Sequence, residues 1–255
     1  MTPIVAIARN TVREAVRERI ALVAVAFGAA LVAASQVLSP LALGVGPKIV
    51  TDFGLAGSSL LATLLAITLG STLLHKELER RTVYAIMAKP IRRAEFLLGK
   101  FGGLWATSAG LLLLMSVMVM ALVGLGYREA PWILTGSILL TLVELGIVTA
   151  LVVLFSSFTT PGLTAFFAAA SVLAGHFADD LLYFGKQGGS AALEVATTVV
   201  YWVLPHLTVF NARGLVSHGE PVPPERILFA AAYGLLYMGG LLVAACAIWD
   251  RRELR

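Results

Sequence analysis

The sequence predicts an all-α integral membrane protein with six transmembrane helices, and three observations lead there. The 255 residues are 58% hydrophobic and only 13% charged, against roughly 45–50% apolar and 25% charged in a soluble domain. The apolar residues gather in runs of about twenty, the length that crosses a hydrocarbon core as helix. Lysines and arginines cluster beside these runs, as in loops held on the cytoplasmic side. With a mean hydropathy of +0.88, residues 1–255 read as a single membrane domain.

The first element, residues 1–19, spaces Val5, Ala8, Val12 and Val16 along one helical face and puts Arg9, Arg13, Glu14, Arg17 and Glu18 largely on others. This pattern predicts an amphipathic helix lying at the membrane interface. A secretory signal cleaved at Ala33-Ala34-Ser35 is the alternative, but the lead-in is long and carries two glutamates. Span one then runs from about Ile20 to Leu38 and span two from about Phe53 to Leu74, joined by the Pro- and Gly-containing stretch LSPLALGVGPKIVTD, which predicts a break in helix. Spans three (Phe101 to Gly126) and four (Trp132 to Phe155) form a hairpin around YREAP. Span five starts near Leu163 and loses apolar character at His176, Asp179 and Asp180. Within residues 185–226, the apolar stretch Val195 to Phe210 contains Pro205 and is short for a crossing, so it reads as a re-entrant or interfacial external segment between spans five and six. Span six covers Leu228 to Trp249.

Six spans with both termini inside place fourteen of the nineteen Lys and Arg residues on the cytoplasmic side, and a seventh crossing at Val195 to Phe210 would move the basic tail DRRELR outside. The localisation expected is the cytoplasmic (inner) membrane. The net charge of +4 suits anionic lipid better than nucleic acid, since no basic patch interleaved with aromatic residues is present. Cys246, the only cysteine, lies inside the last apolar run and reads as a packing residue; His75, His176, His206 and His218 form no H-x-x-x-H pair. No metal site, cofactor site or catalytic residue is expected. The chain contains no H-E-x-x-H or G-x-S-x-G motif, and Ser58-Ser59 sits in an apolar span without a nearby base.

Residues 75–100 spend far more chain between spans two and three than a hairpin needs. Val83, Ile86 and Met87 have helical spacing between charged flanks, which suits a groove on a soluble partner or, alternatively, a basic anchor on lipid headgroups. The stretch KELERRTVYAIMAKPIRRAEFLLGK resembles the signature of type-2 ABC exporter permeases: Glu77, Glu79 and Thr82 after span two, Lys89-Pro90, Arg92-Arg93, and Gly99-Lys100 before span three. Arg81 stands where many members have Gly, which is similar to an "ERRT" subgroup, as are the later YWVLPHLTVFN, VSHGEPVPP and WDRREL. The resemblance implies a permease that pairs with a second copy as a homodimer and docks on a cytoplasmic ABC ATPase subunit, which would bind the ATP and Mg. Coupling would run through Glu77, Glu79, Arg80, Arg81, Thr82, Lys89, Pro90, Arg92 and Arg93, and through the N-terminal helix; Val195 to Phe210 would cap the external mouth. The ATPase is a separate chain on this reading, because no G-x-x-x-x-G-K-[ST] loop occurs here.

Glu144 lies midway along span four, where an unpaired carboxylate costs about 3 kcal/mol. It predicts either a substrate or proton pathway or an interhelical hydrogen bond, for which a Thr or Ser on a neighbouring span is the expected partner. Together with His176, and with Asp179 and Asp180 at the external mouth, Glu144 also suits a proton-coupled carrier, although no internal repeat is evident. A membrane scaffold without transport is the third reading. Gly102-Gly103 and Gly239-Gly240 are expected as close-packing points between helices.

Overall fold

The computed structural model describes residues 3–16, 22, 26–31, 33–34, 46–79, 92–126, 130–187 and 190–251. All regular structure among the described residues is helical, as hydrocarbon demands of an open chain, because a helix satisfies its own backbone groups. The helices are α1 (Pro3–Val16), α2 (Gly46–Glu79), α3 (Arg93–Ala121), α4 (Thr135–Ser156), α5 (Pro161–His176), α6 (Ala178–Gln187), α7 (Ala191–Val203), α8 (Arg213–Ser217) and α9 (Pro224–Arg251). A π-helical turn, Leu122–Gly126, closes α3; 3-10 turns precede α4 at Pro131–Leu134 and follow α7 at Leu207–Phe210.

Among the described residues, four helical stretches are long and apolar enough to cross a membrane singly: Gly46–Thr72, Ala94–Gly126, Pro131–Ser156 and Pro224–Trp249. The pair α5 and α6, bent by 71°, and the pair α7 with Leu207–Ser217, bent by 49°, qualify only jointly, as broken spans or re-entrant loops. The expected first span lies mostly outside the described residues. Expected span two begins earlier than its apolar run: GPKIVTD is helical from Gly46 on. Pro47 sits in the first turn, where its missing N–H costs nothing and its fixed φ already suits a helix.

The bundle is arranged around α4, 72% of whose most apolar window is buried, against 11% for α9. Successive helices run antiparallel, as their contacts show. At one end α1 lies on the start of α3, and Phe96 of α3 stacks on Trp249 of α9 at 6.4 Å. At the other end Gly54 of α2 meets Val119 of α3, and Gly136 of α4 meets Val222. Three clusters of buried side chains fill the interior: Leu31, Val50, Val123, Ile138, Leu207 and Phe210 toward the second end, Ala66, Leu112, Leu145 and Val152 in the middle, and Leu69, Leu97, Leu104 and Trp249 near α1.

The N-terminal helix differs from its expected face. Thr11 and Ala15 are buried and Ile7 packs against Gly99, so α1 uses Ile7, Ala8, Thr11 and Ala15 to lie along α3, while Val5 is 49% exposed. Apolar residues therefore wrap more than one side, one part meeting a helix and the other left open. Gly103 permits the contact: a Cβ there would lie 2.6 Å from Thr11 Cβ and 2.8 Å from the Ala8 carbonyl oxygen. The Gly239-Gly240 pair does not pack as expected, since neither has a neighbour within 4 Å of a Cβ position. Both glycines lie on the open side of α9, where Leu235, Leu236 and Val243 are also exposed.

Gly103→Ala should push α1 from α3, because a backbone oxygen cannot rotate away, at a cost of about 1–3 kcal/mol. Gly110→Ala, with open space around it, should gain up to about 1 kcal/mol of helix propensity. Thermal unfolding of the two purified variants in detergent checks both signs.

Candidate functional site

The sequence marks two regions, one at each end of the bundle. At the α1 end, α2 remains helical through Glu79, beyond its apolar stretch Gly46–Thr72. Leu73 and Leu74 end the apolar run, and at 1.5 Å per residue the last five helical residues, which include Glu77 and Glu79, project about 7 Å past it. Arg80, Arg81, Thr82, Lys89 and Pro90 lie outside the described residues. Arg92 is exposed and its backbone N–H donates to Glu95 Oε2 at 3.1 Å, closing the first turn of α3, which opens with Arg93. Lys100, one turn further on, is only 1% exposed. Hydropathy reading groups Lys100 with the surface cations; its place between Gly99 and Gly103, the two residues against which α1 packs, is the signal that foretells its burial.

At the opposite end lie the four acids and histidines named as pathway candidates. Glu144 is 4% exposed on the most enclosed helix. Its partner is His176 rather than a hydroxyl: His176 Nε2 stands 3.2 Å from Glu144 Oε1. The other ring nitrogen, Nδ1, is 3.0 Å from the Val172 carbonyl oxygen. A carbonyl only accepts, so Nδ1 carries a hydrogen and the short Nε2–Oε1 contact holds a second, shared with the carboxylate. Imidazolium with carboxylate, or imidazole with carboxylic acid, the pair as a whole is neutral. That neutrality is what permits an acid midway along a buried span.

The pair sits where α5 ends. Phe177 leaves helical geometry, and α6 departs at 71°. Gly175, beside His176, is buried, and a Cβ on it would lie 2.6 Å from the Pro205 carbonyl oxygen and 3.0 Å from Leu207 Cγ. Only glycine lets the segment after α7 come so near. Thr208 Oγ1 donates to Asp179 Oδ2 at 3.2 Å, and Asp179 and Asp180 are both exposed. The structure thus joins Glu144 to His176 and ties Asp179 to the segment after α7, leaving Asp180 at the surface.

The same segment is held from α9. The His206 N–H donates to Tyr233 Oη at 2.9 Å, and Tyr237 Oη donates to the Val203 carbonyl at 2.7 Å. Arg226 Nη2 donates to the Asn211 carbonyl at 2.9 Å. Leu207 and Phe210 are fully buried beneath it. The tyrosines were not among the residues singled out from the sequence. Their signal is the spacing Tyr233 to Tyr237, one turn apart on an otherwise aliphatic helix. The expected re-entrant element Val195 to Phe210 is in fact α7, a break at residues 204–206 and a 3-10 turn; α7 itself has no buried residue.

The family model of the ABC-2 family transporter protein matches residues 48–248, from the first turn of α2 nearly to the end of α9. No curated protein matches the chain.

Removing either partner of the Glu144–His176 pair leaves the other unsatisfied. Unfolding measured for Glu144→Gln, His176→Gln and the double variant should give a coupling energy of about 0.5–3 kcal/mol. Strictly additive losses would mean that the contact stabilises nothing.

Proposed function

The chain belongs to the ABC-2 transporter family, and from that premise we propose that it is the six-span membrane subunit of an ATP-driven exporter whose ATPase is a separate chain. Members of this family are multi-pass membrane permeases without an ATPase site of their own, and the family implies a cytoplasmic ABC ATPase as partner. The finer reading places both termini and the α1 end on the cytoplasmic side of the inner membrane, the α6–α8 end outside, and a second copy of the chain beside the first. ATP and Mg are bound by the ATPase.

The observation that supports a mechanical role most directly is the continuity of α2. A single helix runs from the cap end, where it touches α8, past the apolar stretch to Glu79. Load applied at Glu77 and Glu79 therefore travels along one rigid rod into the core around Gly70, Val152 and Leu104. The segment from Glu77 to Arg93 supplies the docking surface, with Arg80, Arg81, Thr82, Lys89, Pro90 and Arg92 as its charged and turn-forming members. The N-terminal helix, clamped to α3 at Gly99 and Gly103, about two to three turns beyond Arg92, stiffens the same surface. A proton-coupled carrier using Glu144 is the second reading; the close pairing with His176 favours a structural use of that carboxylate within the permease.

Purification of the tagged chain in mild detergent should recover a nucleotide-binding subunit, and Glu77→Lys with Glu79→Lys should release it while leaving the chain folded. A chain that emerges alone in several detergents would overturn the permease reading.

A further inference from the structure

We propose that the Glu144–His176 contact is the latch of a gate at which the end of α5 closes on the segment of residues 203–211. The segment is seated in a notch between α4 and α5. Leu207 and Phe210 are buried there to 0% and 1% exposure, and the Pro205 carbonyl rests against Gly175. His176 is the next residue, so the ion pair that ties the last turn of α5 to the middle of α4 also fixes the width of the notch. If the pair separates, α5 can swing at its own end, where the backbone leaves helical dihedrals at Phe177 (φ −108°, ψ 16°) and the next helix turns by 71°. Hydrophobic burial holds the segment in, and the pair decides whether the walls stay closed.

The attachments of the segment are unequal in a way that suits a hinge. Toward α9 it has three hydrogen bonds, one donated to Tyr233 and two accepted from Tyr237 and Arg226. Toward α5 and α6 it has the single Thr208–Asp179 bond and apolar contact across a glycine. His206 Nε2 is buried without a hydrogen-bond partner, so this ring adds no hydrogen bond that would hold the segment to the α5 side. The charged groups around the notch are Glu144 and His176 themselves, Asp179 on α6, Arg213 on α8 and Arg226 on α9. The segment therefore stays with α9 when the α4–α5 side opens.

That this opening admits or releases cargo rests on the permease reading; the opening itself does not. The test uses the full chain, purified with any subunits that accompany it. Cys246, the only cysteine, is replaced by Ser, and a reporter cysteine is placed at Leu207 or, separately, at Leu97, which is equally buried in the cluster near α1. Maleimide labelling of Leu207→Cys should be slow in the parent. It should accelerate at least about tenfold (about 1.4 kcal/mol) in Glu144→Ala and His176→Ala, with Leu97→Cys unchanged. Glu144→Gln, which keeps an acceptor for Nε2, should fall between, and it serves as the readout with His176→Gln where an alanine variant does not fold. Labelling at Leu207→Cys that stays at the parental rate, or that rises together with Leu97→Cys, would overturn the latch. Neither result bears on whether an ATPase accompanies the chain, so failure of the latch and failure of the permease reading are separately visible.

Discussion

Helices surrounded by hydrocarbon gain little from hydrophobic attraction to one another, so their association depends on how closely they approach. This constraint organises the bundle around α4. Gly70 of α2 lies directly against Val152, and Gly234 of α9 directly against Val143, both on α4. Gly146 of α4 admits Met238 and the indole of Trp105, whose Nε1 donates to the Leu142 carbonyl at 3.2 Å. Each approach brings a neighbouring backbone within range of many weak contacts, each worth about 0.1–0.2 kcal/mol. The enclosed α4 is thus a consequence of where glycine occurs on three helices. Thr141 and Thr149 satisfy their hydroxyls locally, by bonding carbonyls one turn back on α4.

The apolar runs made the helices of spans two, three, four and six plain, because length and hydropathy suffice for that. Their ends were not plain. Pro47 looks like a breaker in a string of letters, but in the first turn it is a helix starter, a difference of a few residues in position. For α1 the helix was readable and its packed face was not: Val5, Ala8, Val12 and Val16 suggest one face, whereas Ile7, Ala8, Thr11 and Ala15 lie along α3. Lys100 shows the opposite failure: one charge is scored as exposed by any hydropathy reading, whereas packing against α1 buries it. The Gly239-Gly240 pair was read as packing from its type alone, yet it faces open space within the chain.

The end away from α1 was legible in its residues but not in its connections. Glu144 stood out because a carboxylate in a span must be neutralised. Which group does so is fixed by where α5 stops, and that depends on Phe177 leaving the helix and on Gly175 yielding space to Pro205. Neither is a periodicity signal. His176 was noted as a polar residue ending a span, and the fold turns that position into the counter-group of an acid on a different helix. A local break in one helix thus solves the electrostatic problem of another.

Helix lengths explain why this joint occurs at one end only. At 1.5 Å per residue, the sixteen residues of α5 reach about 24 Å, short of a hydrocarbon core of about 30 Å. The twenty-six residues of Pro131–Ser156 reach about 39 Å and pass it. Among the described residues, the helices near α1 are therefore long and continuous, whereas at the far end α6, α7 and the segment after α7 fill the remainder. Short pieces cannot satisfy all their backbone groups internally. Side chains complete the count, as Tyr233 does for the His206 N–H and Tyr237 for the Val203 carbonyl. A wall completed by separate pieces under a neutral ion pair has fewer bonds to break than a continuous helix, so the far end is where the bundle can open while the α1 end keeps its shape.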